Sequence, residues 1–264
     1  MYKYIVSTLL TLAFCTTAMA KETKDTKDTL TLRIMTYNLR FGELSSLEQL
    51  GAHIKAFQPD FVALEEVDCF TKRERAPHQH NKDFISTLAY ETGMFGLYGK
   101  AIAYQGGWYG IGLLSKHPYI NVEKVVLPNP ENKEPRVLLY ATCEVGTDTL
   151  VFAVTHLDVN SSRTRSLQAD TICRQFEKSP YPVIIGGDFN AQPDEPAIAQ
   201  VMLPRWFNAT DSTLTFPTWQ PKIKIDYLFC RPQARWQLVT TQTVQSLLSD
   251  HLPIVSTVRL LPKR

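Results

Sequence analysis

Apolar runs that stop on a polar residue recur along the chain. Residues 30–38 alternate and end on Asn38. A period of two predicts a strand with one buried face. Residues 61–64, Phe-Val-Ala-Leu, read as a buried strand closing on Glu65-Glu66-Val67-Asp68. Residues 149–154 form another, followed by Thr155-His156-Leu157-Asp158. Residues 182–185, Pro-Val-Ile-Ile, lead into Gly186-Gly187-Asp188-Phe189-Asn190. Further strands are predicted over 111–115, 120–127, 136–145, 223–229 with Asp226 embedded, and 236–245. A last strand opens at Ser249-Asp250-His251-Leu252-Pro253-Ile254 and ends near Leu260.

Helical spacing is rarer. Leu44, Leu47, Leu50, Ile54 and Phe57 follow a helical period that Pro59 stops. Asn81 is placed to cap a helix to about Glu91, and Ser161 or Ser162 one through about Lys178, with Leu167, Ile172 and Phe176 facing inwards. Residues 193–202 hold a short helix. Residues 71–80, with Arg73, Arg75, His78 and His80, read as an exposed loop. Residues 104–110 read as a hairpin turn with aromatic flanks in preference to a substrate rim, and residues 215–219 as a loop. Strands dominate and their order is mixed. The pattern predicts an α/β fold of two packed mixed β-sheets flanked by helices, in one domain over residues 30–264.

Composition narrows the setting. The 264 residues are 44% hydrophobic and 20% charged, with a formal net charge of +2. That balance gives no global pull towards nucleic acid or an anionic membrane. Lys3, a mostly apolar run to Phe14 and Ala18-Met19-Ala20 have the form of a secretory signal peptide over residues 1–20, cleaved near Ala20. A secreted or periplasmic protein is expected, with a flexible lead-in over 21–29. The bulky Phe14 before Cys15 disfavours a lipoprotein. Cys69, Cys143, Cys173 and Cys230 are widely spaced without a CxxC pair, which gives no zinc signature. Cys143 and Cys230 read as core residues.

The polar residues at strand ends form one set: Asn38, Glu66, His156, Asp188, Asn190, Asp226, Asp250 and His251. Asp188 and Asn190 flank Phe189, so they share a face if the strand continues; an Asx-type turn is the alternative. Strand ends and their loops gather binding groups on a rigid support. Carboxylates, amides and imidazoles together suit a divalent metal and proton transfer, and Mg²⁺ needs only one or two carboxylates because it keeps several waters.

The pieces Met35-Thr36-Tyr37-Asn38-Leu39-Arg40, Leu64-Glu65-Glu66-Val67, Thr155-His156-Leu157, Gly187-Asp188-Phe189-Asn190, Ile225-Asp226-Tyr227 and Ser249-Asp250-His251-Leu252-Pro253 occur in one order over nearly the whole chain after the leader. In them the chain resembles the endonuclease/exonuclease/phosphatase superfamily of metal-dependent phosphoesterases. The resemblance implies a four-layer α/β sandwich. It implies Glu66 as the principal metal ligand, chosen over Glu65 because the family pattern has Gln at the first position. Asn38 and Asp250 would complete the metal site. Asp188 would activate the attacking water, Asn190 would hold that water or a phosphoryl oxygen, and Asp226 would hold His251 on the phosphate. His156 would contact the phosphate or assist the leaving group. Mg²⁺ is the implied cofactor, with Mn²⁺ as an alternative.

The expected activity is hydrolysis of a phosphoester, most simply a phosphodiester, by in-line attack of water. Nucleic acid, a phospholipid headgroup and a small phosphodiester all fit as substrates, and no obligate protein partner is evident. The alternatives are a nuclease or sphingomyelinase of the same superfamily, or a phosphate- or glycan-binding protein without activity. Arg73, Arg136, Arg163 and Arg165 are candidate phosphate contacts, since a guanidinium pairs with phosphate through two hydrogen bonds. Trp108, Tyr109 and Trp219 are candidates to stack on a base, sugar or headgroup.

Overall fold

The computed structural model describes residues 29–263. The leader expected over 1–20 and the lead-in, apart from Thr29, lie outside the described residues. In chain order the strands are β1 (Leu30–Asn38), β2 (Phe61–Cys69), β3 (Phe95–Tyr104), β4 (Gly107–Ser115), β5 (Tyr119–Val126) and β6 (Val137–Val145). They continue with β7 (Asp148–His156), β8 (Val183–Asp188), β9 (Phe207–Asn208), β10 (Asp226–Arg231), β11 (Trp236–Thr243) and β12 (Ile254–Leu260). Three helices, α1 (Leu47–Ala56), α2 (Phe84–Thr92) and α3 (Ser162–Phe176), complete the frame, with a short helical segment at Ala197–Met202.

Two six-stranded sheets result, in the orders β11-β12-β1-β2-β4-β3 and β5-β6-β7-β8-β10-β9. Their inner faces meet in a core that includes Ile34, Phe61, Leu113, Leu139, Phe152, Ile184 and Leu228. Phe61 and Phe152 stack across it at 4.8 Å between centroids. Helix α3 covers the second sheet through Ala169, Ile172 and Phe176. Helices α1 and α2 cover the first through Leu47, Leu50, Ile54, Phe84 and Leu88. These are four layers, helix–sheet–sheet–helix, as the strand-rich pattern predicts.

Several local expectations need correction. Helix α1 begins only at Leu47, because Ser46 caps it in a reciprocal box with Gln49; Leu44 stays outside, 46% exposed. Asp83, not Asn81, caps α2, and Ser161 caps α3. Leu167 points outwards, 41% exposed, while Arg165, Gln168 and Cys173 take the inner face of α3. The last strand starts at Ile254 and β10 at Asp226, so Ser249–Pro253 and residues 223–225 are loop. Strand β3, rich in glycine and interrupted by Lys100, pairs along its length with β4 through the turn Gln105-Gly106, both at positive φ. The aromatic-flanked hairpin is therefore longer than the sequence pattern indicates. All four cysteines of the described residues are buried and unpaired.

Register is what positions the polar strand ends. Strands β7 and β8 run parallel, with His156 opposite Asp188. Strand β10 runs antiparallel beside β8, with Asp226 opposite Asp188. The three residues form one row across the sheet. In the other sheet β1 and β2 run parallel, with Asn38 opposite Glu65. The sheets approach closely here. A Cβ on Gly186 would lie 2.7 Å from the Cβ of Ala63, and one on Gly187 would lie 2.2 Å from the carbonyl oxygen of Thr155. Glycine at both positions lets β8 sit against its neighbours at the point where the site begins.

Candidate active site

The strand ends open into a cleft of about 340 Å³ lined by Glu66, Tyr109, Glu134, Arg136, His156, Val159, Asp188, Asn190, Phe216, Ile223, Ile225, Asp250 and His251. Asn38 lies fully buried beside it and ties the two sheets together. Its amide donates to Glu66 Oε1 at 3.2 Å and to Asp188 Oδ2 at 3.1 Å. Its own carbonyl oxygen accepts from Ser249 Oγ at 2.7 Å, which anchors the loop carrying Asp250 and His251.

Glu66 reaches the cleft through a break in its strand. The pairing of β2 with β4 shifts register between Leu64 and Val67, and Glu66 sits there at φ 55°. A bulge of this kind re-aims a side chain. Glu65 points the other way and is entirely buried, where Thr36 Oγ1 donates to it at 3.1 Å. Burial, then the nearby Asp226 and Asp188, push the Glu65 carboxyl well above the usual range.

The strand ends at Asp188 and Asn190 turns to φ 49°, so the Asx-type alternative holds and not continued alternation. Asp188 Oδ1 accepts from the amide of Asn190 at 2.8 Å, an Asx-type turn, while Oδ2 faces Asn38 and the two histidines. Asn190, at φ 49°, donates its side-chain amide to the carbonyl oxygen of Leu157 at 3.0 Å. Burial, reinforced by Asp226, pushes the Asp188 carboxyl up to about 7.

The two histidines are wired oppositely. Nδ1 of His251 lies 3.1 Å from each oxygen of Asp226, and its Nε2 lies 3.8 Å from Asp188 Oδ2. Burial works against the charge, but Asp226 and then Asp188 outweigh it and push the imidazole up to about 10. His251 is therefore an imidazolium at neutral pH. His156 instead accepts at Nδ1 from Arg136 Nη1 at 3.1 Å, and its Nε2 lies 3.5 Å from Asp188 Oδ2. Burial, with the charges of Arg136 and His251, holds it well below the usual imidazole range. His156 is neutral, with its proton on Nε2.

The site lies among residues that prepare it. Arg40, Phe41 and Gly42 all adopt positive φ. This left-handed turn is strained at a bulky residue and carries Arg40 Nη1 to Asp250 Oδ2 at 2.7 Å. The donor set suits a hard divalent cation. Glu66 and Asp188 share one amide; Asp188 is buried and Glu66 half-buried, and loss of solvent raises both carboxyls. A cation relieves that accumulation of negative charge. Asp188, Asp226 and His251 also come within 4.8 Å of one another. In that trio the imidazolium already lies 3.1 Å from both Asp226 oxygens, and the Asn38 side-chain oxygen is likewise engaged, accepting from the Arg40 amide at 3.0 Å.

The remaining candidates separate by position. Arg136 and Tyr109 line the cleft. Arg73 does not. It is buried, pairs with Asp68 through two bonds of 2.8 and 2.9 Å, and lies 4.0 Å over the Phe41 ring and 4.2 Å over that of Tyr104. Its loop is thus less exposed than its polarity suggests. Arg165 is buried too. It holds the carbonyls of Asp158 and Val159 and pairs with Glu195, so it supports the loop after His156 and is absent from the cleft wall. Trp108 faces solvent with Lys100 over its ring, and Arg163 is exposed on α3. Sequence reasoning passed over Glu134, which pairs with Arg136 at 3.0 Å; its only signal was its place two residues before that arginine.

The endonuclease/exonuclease/phosphatase family model matches residues 35–251. The chain belongs to that family. Over 107 residues it is 31% identical to Protein cwh43 of Schizosaccharomyces pombe, a stretch covering 40% of this chain and 11% of that protein. The chain therefore spans about a tenth of that relative. An endonuclease/exonuclease/phosphatase structure from Beutenbergia cavernae superimposes with a TM-score of 0.71 at 21% identity, covering 88% of this chain and 72% of that one. A mannosyl-6-phosphatase of Bacteroides thetaiotaomicron superimposes with a TM-score of 0.66 at 14% identity, covering 86% and 99%. At these identities the likeness is one of fold.

Proposed function

We propose that this protein is an exported, Mg²⁺-dependent phosphodiesterase that hydrolyses a P–O bond by in-line attack of water. The observation that carries the reading is Asp188, buried in the lining of a polar cleft and set between an imidazolium and a neutral imidazole. Glu66 and Asp250 would hold the metal, with Asn38 supporting Glu66 through its amide; when bound, the metal polarises a phosphoryl oxygen and neutralises charge in the transition state. Asp188 takes the proton of the attacking water. Asn190 limits where that water sits. His251, held by Asp226, donates to a non-bridging phosphoryl oxygen and stabilises the charge that develops there. Neutral His156 offers its Nε2 proton to the substrate, and Arg136 both fixes that tautomer and faces the phosphate. Positioning and charge stabilisation supply most of the rate in such a reaction.

Two distinct walls support a diester. Arg136 and its partner Glu134 lie on the His156 side. Phe216, whose ring centroid is 4.7 Å from that of His251, lies with Ile223 on the other. Each ester arm has its own surroundings. The export reading rests on the leader pattern of residues 1–20.

The test is hydrolysis of bis-p-nitrophenyl phosphate and p-nitrophenyl phosphate with Mg²⁺, with Mn²⁺ and with EDTA, on the wild type and on Asp188→Asn. Metal-dependent diester turnover lost in the variant supports the reading. Monoester turnover alone moves it to a phosphatase. A metal-independent signal unaffected by Asp188→Asn overturns it.

A further inference from the structure

Residues 215–223 fold into a small hairpin that the proposed chemistry does not use. Phe216 and Ile223 bridge in antiparallel fashion, and the amide of Lys222 donates to the carbonyl oxygen of Phe216 at 2.8 Å. The hairpin is bolted to the loop that carries His251. The amide of Thr218 donates to the Asp250 carbonyl oxygen at 2.8 Å, and that of Leu252 to the Thr215 carbonyl oxygen at 2.8 Å. Its base lines the cleft through Phe216 and Ile223. Its tip presents Trp219, 64% exposed, directly after the residue bonded to Asp250.

An exposed tryptophan on a fixed hairpin beside a reacting centre offers a flat apolar face at low entropic cost. Its neighbours decide what that face suits. Gln220 and Lys222 are exposed on the same tip, so an amide and an ammonium group stand beside the indole. A membrane-inserting tip would instead be apolar throughout. A nucleic-acid track would be basic. Here the cleft lining includes Glu134, whose side chain is 38% exposed and pairs with Arg136 at 3.0 Å. The pair offsets the arginine's charge, so this lining is no basic track, and the carboxylate is placed to accept hydrogen bonds from hydroxyl groups. The cleft, about 340 Å³, suits one small arm on each side of a phosphate.

We propose that the Trp219 hairpin is a binding wall for a hydroxylated ring, a sugar carried on the phosphoester, with the ring's C–H face on the indole and its hydroxyls on Gln220 and Lys222. This names the substrate class for the phosphodiesterase reading and rests on it.

The test compares the p-nitrophenyl diesters of glucose 6-phosphate, thymidine 5′-phosphate and methyl phosphate, on the wild type, Trp219→Ala and Trp219→Phe. The glucose diester is expected to exceed the methyl diester in kcat/KM by about tenfold. Trp219→Ala should remove that advantage through KM, and Trp219→Phe should keep most of it. Glucose 6-phosphate binding, measured by calorimetry on the metal-free protein, should weaken about tenfold in Trp219→Ala. A Trp219-dependent preference for the thymidine diester overturns the proposal in favour of a base. Equal behaviour of wild type and Trp219→Ala on all three diesters and in binding overturns it outright. Trp219-dependent binding without metal- and Asp188-dependent turnover of any diester keeps the sugar wall and overturns the phosphodiesterase.

Discussion

Asp226→Asn isolates one charge at the site. Asparagine keeps the shape of the side chain and still accepts from Nδ1–H of His251, so orientation survives and the charge does not. The shift of His251 from an ordinary 6.5 to about 10 corresponds to about 5 kcal/mol, at about 1.36 kcal/mol per pKa unit. Asp188 and Asp250 supply part of that. An opposite charge at this range is worth roughly 1–3 pKa units, so the variant's midpoint should fall to about 8. Because the folded pKa lies above the unfolded one, the pair stabilises the metal-free fold fully below about 6.5 and loses that contribution as pH rises towards 10. The variant should therefore be less stable at pH 7, by about 3 kcal/mol, and the gap should close towards pH 10. Titration of the His251 ring nitrogens by NMR in metal-free protein reads the midpoint directly. In the metal-loaded enzyme, diester turnover at pH 7 should fall by less than about tenfold, and at pH 9 by about tenfold more. Asp226→Ala, which also frees the ring, should lose about a hundredfold at pH 7 and about tenfold more at pH 9. A His251 midpoint unmoved in Asp226→Asn, or an unchanged pH dependence of turnover, refutes the argument that Asp226 sets the imidazolium.

Metal removal should show the same electrostatics from the other side. Glu65, Glu66 and Asp188 have raised pKa values in the metal-free protein. Their contribution to stability is therefore present at low pH and lost as pH rises through the folded values, near 7 for Asp188. The thermal midpoint without metal should fall between pH 5 and pH 8, and Mg²⁺ should raise it more at pH 8 than at pH 5. Arg73→Ala breaks a buried two-bond pair with Asp68 and should cost about 3–5 kcal/mol in urea unfolding, while Asp188-dependent chemistry persists in the folded fraction. Lys224 is 2% exposed, and its ammonium is pulled down to about 8 by burial, with a single hydrogen bond to the Asp226 carbonyl oxygen. Here the unfolded chain binds the proton more tightly, so the group destabilises below pH 8 and the cost fades towards 10.5. Lys224→Met should raise stability at pH 7 by roughly 1–3 kcal/mol, and the gain should shrink at pH 10.

What the sequence makes legible follows from how each residue is held. Strands that end on Asn38, His156 and Asp188 are visible because buried β-branched runs are long and their polar stops abrupt. Strand pairing then delivers those stops to one place: His156, Asp188 and Asp226 are neighbours because β7 is parallel and β10 antiparallel to β8. Alternation cannot decide between Glu65 and Glu66, because a bulge with positive φ breaks the period at that point. The arginines are harder still. Arg73, Arg136 and Arg165 look alike in the sequence, yet one is caged by aromatic rings, one faces the cleft and one props a loop. Their partners Asp68, His156 and Glu195 lie 5, 20 and 30 residues away. A long cationic side chain takes its role from whichever acceptor the fold brings within reach, and that is a property of the packing. The division of labour between the histidines is of the same kind. One closes β7 and the other lies in the loop before β12, but only the placement of Arg136 behind His156 and Asp226 behind His251 makes the first a neutral donor and the second a charged one.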